Sequence, residues 1–247
     1  MLPLLEDIGD YAVFLDLDGT LVETADHPDA VRVHPTTISL LERLRLRCDR
    51  AFAVVSGRDI AVVDRLLHPL ATAAAGVHGL QRRGIDGALH TFGSLDVEPI
   101  VSALQSAIGS ESGVLIERKP NAVALHYRLR PELESRCREI VEELVQQDFA
   151  LRLLRGKMVF ELTMKGMDKG RAIAAFLAEP PFLGRSPLFA GDDVTDEEGF
   201  AVVNRCGGVS IKVGKGATQA RFRAENVETL LSWLWNLVGI DRKERVG

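Results

Sequence analysis

The stretch Val13-Phe14-Leu15-Asp16-Leu17-Asp18-Gly19-Thr20-Leu21 constrains this chain more than any other. An apolar run rich in strand formers ends in two carboxylates and a glycine, which reads as a buried β-strand delivering acidic side chains to its C-terminal edge. Open α/β sheets bind their ligands at that edge. Asp16 and Asp18 are one residue apart, so continued strand geometry would send both side chains off one face, where they repel. A cation is therefore expected between them. A hard divalent ion such as Mg²⁺ takes a few carboxylate oxygens plus substrate phosphate, which suits phosphoryl chemistry with Asp16 as nucleophile and Asp18 as proton donor. The plainer alternative is a strand that simply ends in an Asp-Gly turn.

The 247 residues, 46% of them hydrophobic, allow one large or two modest domains with a substantial core. A net charge of −5 leaves no basic footprint, so nucleic acid is not expected as a partner. Cys48, Cys137 and Cys206 are widely spaced and odd in number, which argues against a disulfide framework or a zinc site. The N-terminus lacks a basic region and no apolar run is long enough for a bilayer, so neither signal peptide nor membrane span is expected. A cytoplasmic monomer is the default expectation.

Pro35 starts a helical pattern that ends near Asp49, and Ala51 to Val55 forms a second short apolar strand. Ser56-Gly57-Arg58 follows it. A serine hydroxyl with exposed backbone N–H groups at a helix start makes a natural anion site, so Ser56 and Gly57 are candidates to hold phosphate. Alternatively Ser56 only caps the helix that begins near Asp59. Ala71 to Val77 reads as a third buried strand leading to His78, which without a partner in sequence is taken as a structural hydrogen bonder. Leu80 to Phe92 then reads as a loop or hairpin around Gly84 and Gly87.

From Ser94 the order changes to helix, two strands, helix and two strands, ending at Thr163. Short links between adjacent strands imply antiparallel pairing, unlike the βα units on either side. This is the signature of an inserted α+β cap. On its strands Glu117 with Lys119, His126 with Arg128, and Lys157 with Glu161 alternate onto shared faces. Mixed donors and acceptors suit sugar hydroxyls, so a phosphorylated sugar is the expected substrate class; a solvated face laced by ion pairs is the alternative.

Past the cap, Lys165 and Lys169 both precede a helical pattern, and Lys169 is favoured as the phosphate-facing cation because it directly abuts the helix. Either lysine could instead be a surface charge. The next buried strand, Pro187 to Ala190, ends in Gly191-Asp192-Asp193-Val194-Thr195-Asp196-Glu197. Asp192 can join Asp16 at the same edge as a third oxygen ligand for Mg²⁺, with Asp193 and Asp196 orienting the lysine and the metal's waters. A last strand over Gly208 to Val213 and an amphipathic helix over Asn226 to Val238 close the chain.

Leu15-Asp16-Leu17-Asp18-Gly19-Thr20-Leu21 resembles the first motif of the haloacid dehalogenase-like phosphatases. With Val55-Ser56-Gly57-Arg58, His78-Gly79, Glu117-Arg118-Lys119, His126-Tyr127-Arg128, Gly156-Lys157 through Glu161, Lys169-Gly170 and the Gly191–Glu197 string, nearly the whole chain is similar to the trehalose-6-phosphate phosphatases. The resemblance implies Mg²⁺-dependent hydrolysis of trehalose 6-phosphate through an aspartyl-phosphate. By position Asp16 would be phosphorylated, and Asp18 would protonate the departing sugar oxygen and then activate water. The Asp16 carboxylate, the Asp18 backbone carbonyl and Asp192 would hold the metal; Ser56, Gly57 and Lys169 would hold phosphate. Glu117, Lys119, His126, Arg128 and Glu161 would meet the sugar, and cap closure would exclude water. Two departures from the family pattern are Leu17, where tyrosine is frequent, and Leu162 to Gly166, where a proline is usual.

The expected architecture is a doubly wound, Rossmann-like parallel sheet core over 1–93 and 164–247, with a smaller α+β cap over 94–163. A phosphatase for another sugar phosphate is the nearest rival. A non-catalytic sugar-phosphate sensor is disfavoured because Asp16, Asp18, Lys169 and Asp192 are all present.

Overall fold

Strand β1 (Tyr11–Leu15) lies inside a sheet and is covered on both faces, which is why its sequence is a continuous apolar run rather than an alternating one. The computed structural model describes residues 2–24, 30–93, 95–109, 113–119, 121–148, 150–156 and 158–239. The polar connection expected at Asp26 to Asp29, Lys157 and the tail from Asp241 lie outside the described residues.

After β1 come α1 (Pro35–Arg47), β2 (Phe52–Val55), α2 (Ile60–Leu67) and β3 (Ala73–Gly76). A 3-10 turn at Val77–Gly79 leads to β4 (Gln81–Arg83) and β5 (Leu89–Thr91). The chain then forms α3 (Glu98–Ile108), β6 (Leu115–Lys119), β7 (Ala122–His126), α4 (Glu134–Gln147), β8 (Leu151–Gly156) and β9 (Val159–Met164). It returns through α5 (Lys169–Leu177), β10 (Ser186–Gly191), α6 (Glu197–Arg205), β11 (Val209–Val213), β12 (Phe222–Ala224) and α7 (Val227–Gly239). Two compact units result, one of residues 1–90 with 168–247 and the other of 91–167.

In the first unit the sheet order is β12-β11-β10-β1-β2-β3-β4-β5, parallel from β12 to β3, with β4 antiparallel to β3. Alternation along β1 feeds two cores. Val13 and Leu15 pack with Leu40, Leu41, Leu44, Leu230 and Leu234 from α1 and α7, whereas Ala12 and Phe14 pack with Ile173, Phe176, Phe200 and Val203 from α5 and α6. The Phe14 ring lies 5.5 Å from Phe182 and 6.0 Å from Phe176, all three buried. Each such side chain contributes about 2–3 kcal/mol of burial. This is a doubly wound α/β fold. Chain order runs outward from β1 to β2 on one side and from β10 to β11 on the other, so the switch point lies between β1 and β10.

Strand β12 is a correction to the sequence reading, which ended the sheet at Val213. It pairs in parallel with β11, Lys212 opposite Arg223. Three residues carry too little periodicity to announce a strand.

The second unit is an antiparallel sheet in the order β6-β7-β9-β8, with α3 and α4 on one face. Val123, Leu125, Phe160 and Leu162 meet Val101, Leu104, Ile140 and Val141 there, all buried. Cys48 and Cys137 are buried free thiols and Cys206 an exposed one. Among the described residues no helix is long and apolar enough to cross a membrane.

Candidate active site

Asp16 follows β1 directly, and its backbone N–H still donates to the Ala190 carbonyl of β10 at 3.0 Å. That last rung holds its side chain at the switch point beside the end of β10, where Asp192 emerges. Gly19 turns the chain there with φ +78°, and a Cβ on it would collide with the Asp192 carboxylate. A side chain at this position is excluded both by conformation and by space. The buried Thr20 hydroxyl lies 3.5 Å from Asp16 Oδ2 and 3.4 Å from Asp192 Oδ1, between the two carboxylates.

Carboxylate oxygens of Asp16, Asp192 and Asp196 all lie within 4.8 Å of one another. Lys169, the first residue of α5, reaches this group: its Nζ donates to Asp16 Oδ1 at 2.8 Å and to Asp196 Oδ1 at 2.6 Å. The pair Asp196 and Lys169 is almost wholly buried, at 0% and 3% exposure. The other Asp196 oxygen accepts from the backbone N–H groups of Asp192 (3.0 Å) and Asp193 (2.9 Å), so this carboxylate ties the lysine to the loop. Asp193 itself is exposed. Lys165, the competing lysine, is exposed and belongs to the other unit.

Electrostatics of the cluster follow from burial. Burial raises the Asp16 carboxyl well above its ordinary range; Lys169 opposes this, while Asp196 and Asp192 reinforce it. Burial, then the Asp196 charge, push Asp192 up to about 6. For Lys169, burial pulls downward but Asp16 and Asp196 outweigh it, and the ammonium is held above its ordinary value. Three carboxylates thus lie near two ammonium groups, Lys169 and Lys212, and burial leads the rise of the Asp16 and Asp192 carboxyls. An oxygen-only donor set with surplus negative charge fits a hard divalent cation such as Mg²⁺.

Asp18 points to a different partner. Its two carboxylate oxygens are gripped by Arg58, Nε at 2.6 Å and the terminal nitrogen at 2.7 Å. Arg58 comes from the loop after β2, where the buried Ser56 hydroxyl accepts the Arg58 N–H at 3.1 Å. Asp59, rather than Ser56, caps α2, accepting from the Ala61 N–H at 2.8 Å. The Val77–Gly79 turn packs on the same loop: the Val77 N–H donates to the Arg58 carbonyl at 3.0 Å and the His78 N–H to the Ser56 carbonyl at 3.1 Å. Val77 (φ +47°) and His78 (φ +52°) both adopt left-handed backbone, which a β-branched residue such as Val77 rarely does. The His78 ring lies over Gly57, where a Cβ would come within 2.7 Å of it. A glycine is needed for that approach.

Two groups of this site carried no signal in the sequence reading. Arg58 was read only as part of the loop motif. Lys212 was read as a strand residue, yet it is buried and its ammonium donates to the Asp192 carbonyl. A lysine within an apolar strand run is the one pattern that could have flagged it.

In the second unit the strand registers set Glu117 and Glu161 opposite Ala124, and Lys119 opposite Ala122. All of these side chains leave the face opposite α3 and α4. The small alanines let longer neighbours cross diagonally: Lys119 Nζ reaches Glu161 at 2.5 Å, and His126 Nε2 lies 2.8 Å from Glu117. The His126 hydrogen bond holds Glu117 below its ordinary carboxylate range. Arg128 is exposed in the turn after β7.

Comparison with known proteins adds the following. The family model described as trehalose-phosphatase matches residues 14–228. The trehalose-6-phosphate phosphatase of Escherichia coli (strain K12) is 44% identical over 226 residues, spanning 91% of this chain and 85% of that one. A crystal structure of a trehalose-6-phosphate phosphatase related protein superposes with a TM-score of 0.77 at 28% identity, covering 94% of this chain and 99% of the other. A haloacid dehalogenase-like hydrolase from Bacteroides thetaiotaomicron, 13% identical, shares the fold alone, with a TM-score of 0.68 over 91% of this chain and 98% of the other.

Proposed function

The chain belongs to the trehalose-phosphatase family, and from that premise we propose that it hydrolyses trehalose 6-phosphate to trehalose and inorganic phosphate through a phosphorylated Asp16, with Mg²⁺ as cofactor. The observation that carries this reading is the buried Asp16–Lys169–Asp196 constellation, with Asp192 alongside, at the switch point of a haloacid dehalogenase-like core.

An Asp16 oxygen attacks phosphorus, and the bond from phosphorus to the sugar oxygen breaks. Asp18 gives its proton to that departing oxygen. Asp18 then takes a proton from water, whose oxygen attacks phosphorus and releases phosphate from Asp16. Lys169 lowers the cost of negative charge on the phosphoryl oxygens, and Ser56 and Gly57 hold those oxygens by hydroxyl and backbone N–H. Asp196 keeps the Lys169 ammonium aimed, and Asp193 supports the same loop. Asp16, Asp192 and the Asp18 backbone carbonyl would hold Mg²⁺, which when bound supplies the positive charge these carboxylates lack. Glu117, Lys119, His126 and Glu161 offer the donors and acceptors that sugar hydroxyls require, with Arg128 at the margin of that face.

The test is phosphate release from trehalose 6-phosphate and a panel of other sugar phosphates, with and without Mg²⁺, beside an Asp16→Asn variant. Metal-dependent release confined to trehalose 6-phosphate and lost in Asp16→Asn is the expected result. Release from other sugars instead would overturn the substrate assignment, and no release from any substrate would leave a sensor in its place.

A further inference from the structure

Lys212 is a buried cation to which the proposed reaction gives no role. It is 5% exposed and forms no ion pair among the described residues. Its ammonium donates instead to two main-chain carbonyls, that of Asp192 and, at 3.3 Å, that of its neighbour Val213. Burying an ammonium against neutral carbonyls costs desolvation that an apolar side chain would avoid.

The strand delivers the side chain to this place. Along β11 Ile211 and Val213 enter the core beside α1 and α7, so Ser210 and Lys212 leave the opposite face, where the Ser210 hydroxyl donates to Asn204 of α6 at 2.6 Å. In the parallel ladder Lys212 stands next to Gly191, the residue before Asp192. A Cβ on Gly191 would lie 2.3 Å from the Asp196 carboxyl carbon, so Lys212 rises on the face that Asp196 occupies.

The peptide joining Asp192 to Asp193 is consequently gripped at both edges. Its N–H donates to Asp196 Oδ2 at 2.9 Å, and its carbonyl accepts from Lys212. The Asp192 N–H, in the preceding peptide, reaches the same Asp196 oxygen at 3.0 Å. With both planes held, the Cα–Cβ bond of Asp192 has one direction, and that direction puts Oδ1 3.4 Å from the Thr20 hydroxyl beside Asp16. Lys212 could serve only to fasten the end of β11 through Val213. That role does not require it to share one peptide plane with Asp196.

We propose that Lys212 is a positioning residue: by holding the Asp192 carbonyl it aims the Asp192 carboxylate into the cluster with Asp16. The inference deepens the reading of Asp192 as a metal ligand and rests on it. In Lys212→Met, which keeps the apolar stem and loses the donor, the Mg²⁺ dissociation constant from calorimetry should rise about tenfold or more. Hydrogen exchange of the metal-free variant should quicken about tenfold at the Asp192 and Asp193 N–H groups and stay unchanged within β10. A role confined to the fold would lower the melting temperature and leave both readouts alone. Removing a nearby positive charge without misplacing Asp192 would tighten Mg²⁺ binding instead. Tighter binding, or exchange equal to wild type, overturns the proposal. A wild-type protein that binds no Mg²⁺ would sink the metal reading itself, and exchange at Asp192 and Asp193 would then decide whether Lys212 aims that carboxylate. Should Lys212→Met fail to fold, the wild-type protein carries the test: a coupling through the hydrogen bond between Lys212 Nζ and the Asp192 carbonyl carbon is expected with and without Mg²⁺, and its absence in either state overturns the proposal.

Discussion

The ammonium of Lys169 sits 2.8 Å from the Asp16 carboxylate although 153 residues separate them in the chain. The second unit is inserted between them, so this contact joins the two halves of the core at the point where chemistry is proposed.

Replacing Lys169 by Met should therefore damage the fold as well as the reaction. Asp16 and Asp196 would remain buried without their shared cation, a loss of about 3–5 kcal/mol by analogy with broken buried pairs. At low pH the carboxylates can take up protons instead, so the destabilisation should grow from pH 5 to pH 7.5. Urea unfolding at both values checks this; an equal loss at both would show that the carboxylates are not the cause.

Asp192, pushed up to about 6 chiefly by burial, should make the proposed metal binding pH-dependent. The folded, metal-free chain holds a proton that the unfolded chain releases near 4, so its stability falls as pH rises from about 4 to 6. A bound divalent cation replaces that proton. The rise in melting temperature on adding Mg²⁺ should be at least about 3 °C larger at pH 7 than at pH 5. Differential scanning calorimetry at the two pH values measures it, and a pH-independent rise would rule out Asp192 as a ligand.

Arg58 holds both oxygens of Asp18, a geometry a lysine cannot reproduce. Arg58→Lys should lower kcat/KM about tenfold through misplacement of Asp18, with little change in melting temperature. Wild-type kinetics in this variant would mean that the bidentate grip has no part in positioning Asp18.

Glu161 sits on the polar face of the second unit beside Lys119, 13% exposed at its side chain. If that face reads the sugar, Glu161→Gln should raise KM for trehalose 6-phosphate roughly tenfold while kcat falls less than threefold. Steady-state kinetics separates the two constants; a change confined to kcat would place Glu161 outside sugar recognition.

Much of the fold could be read without coordinates. The central strands β1, β2, β3 and β10 contain short apolar runs that end in polar clusters, and such runs fit inside a sheet covered on both faces. The change to tightly linked strands after Ser94 likewise marked an antiparallel segment. Candidate residues at strand ends were legible for the same reason: the end of a buried strand is where a polar side chain first becomes affordable, and Asp16, Ser56 and Asp192 all sit there.

Which groups meet was a different matter. Pairing across a sheet depends on register and strand order, and neither is written in local periodicity. Lys165 and Lys169 look alike in sequence; only the docking of α5 against β1 and β10 puts one ammonium beside Asp16 and leaves the other exposed. The grip of Arg58 on Asp18 and of Lys212 on the Asp192 carbonyl comes from neighbouring strands. The shared face of Glu117, Lys119, His126 and Glu161 needed the β6-β7-β9 registers, with alanines between them. Short-range pattern determined the elements and where their polar ends lie, because burial acts residue by residue along a strand. Tertiary packing decided the partners, because charge and hydrogen bonding act through space.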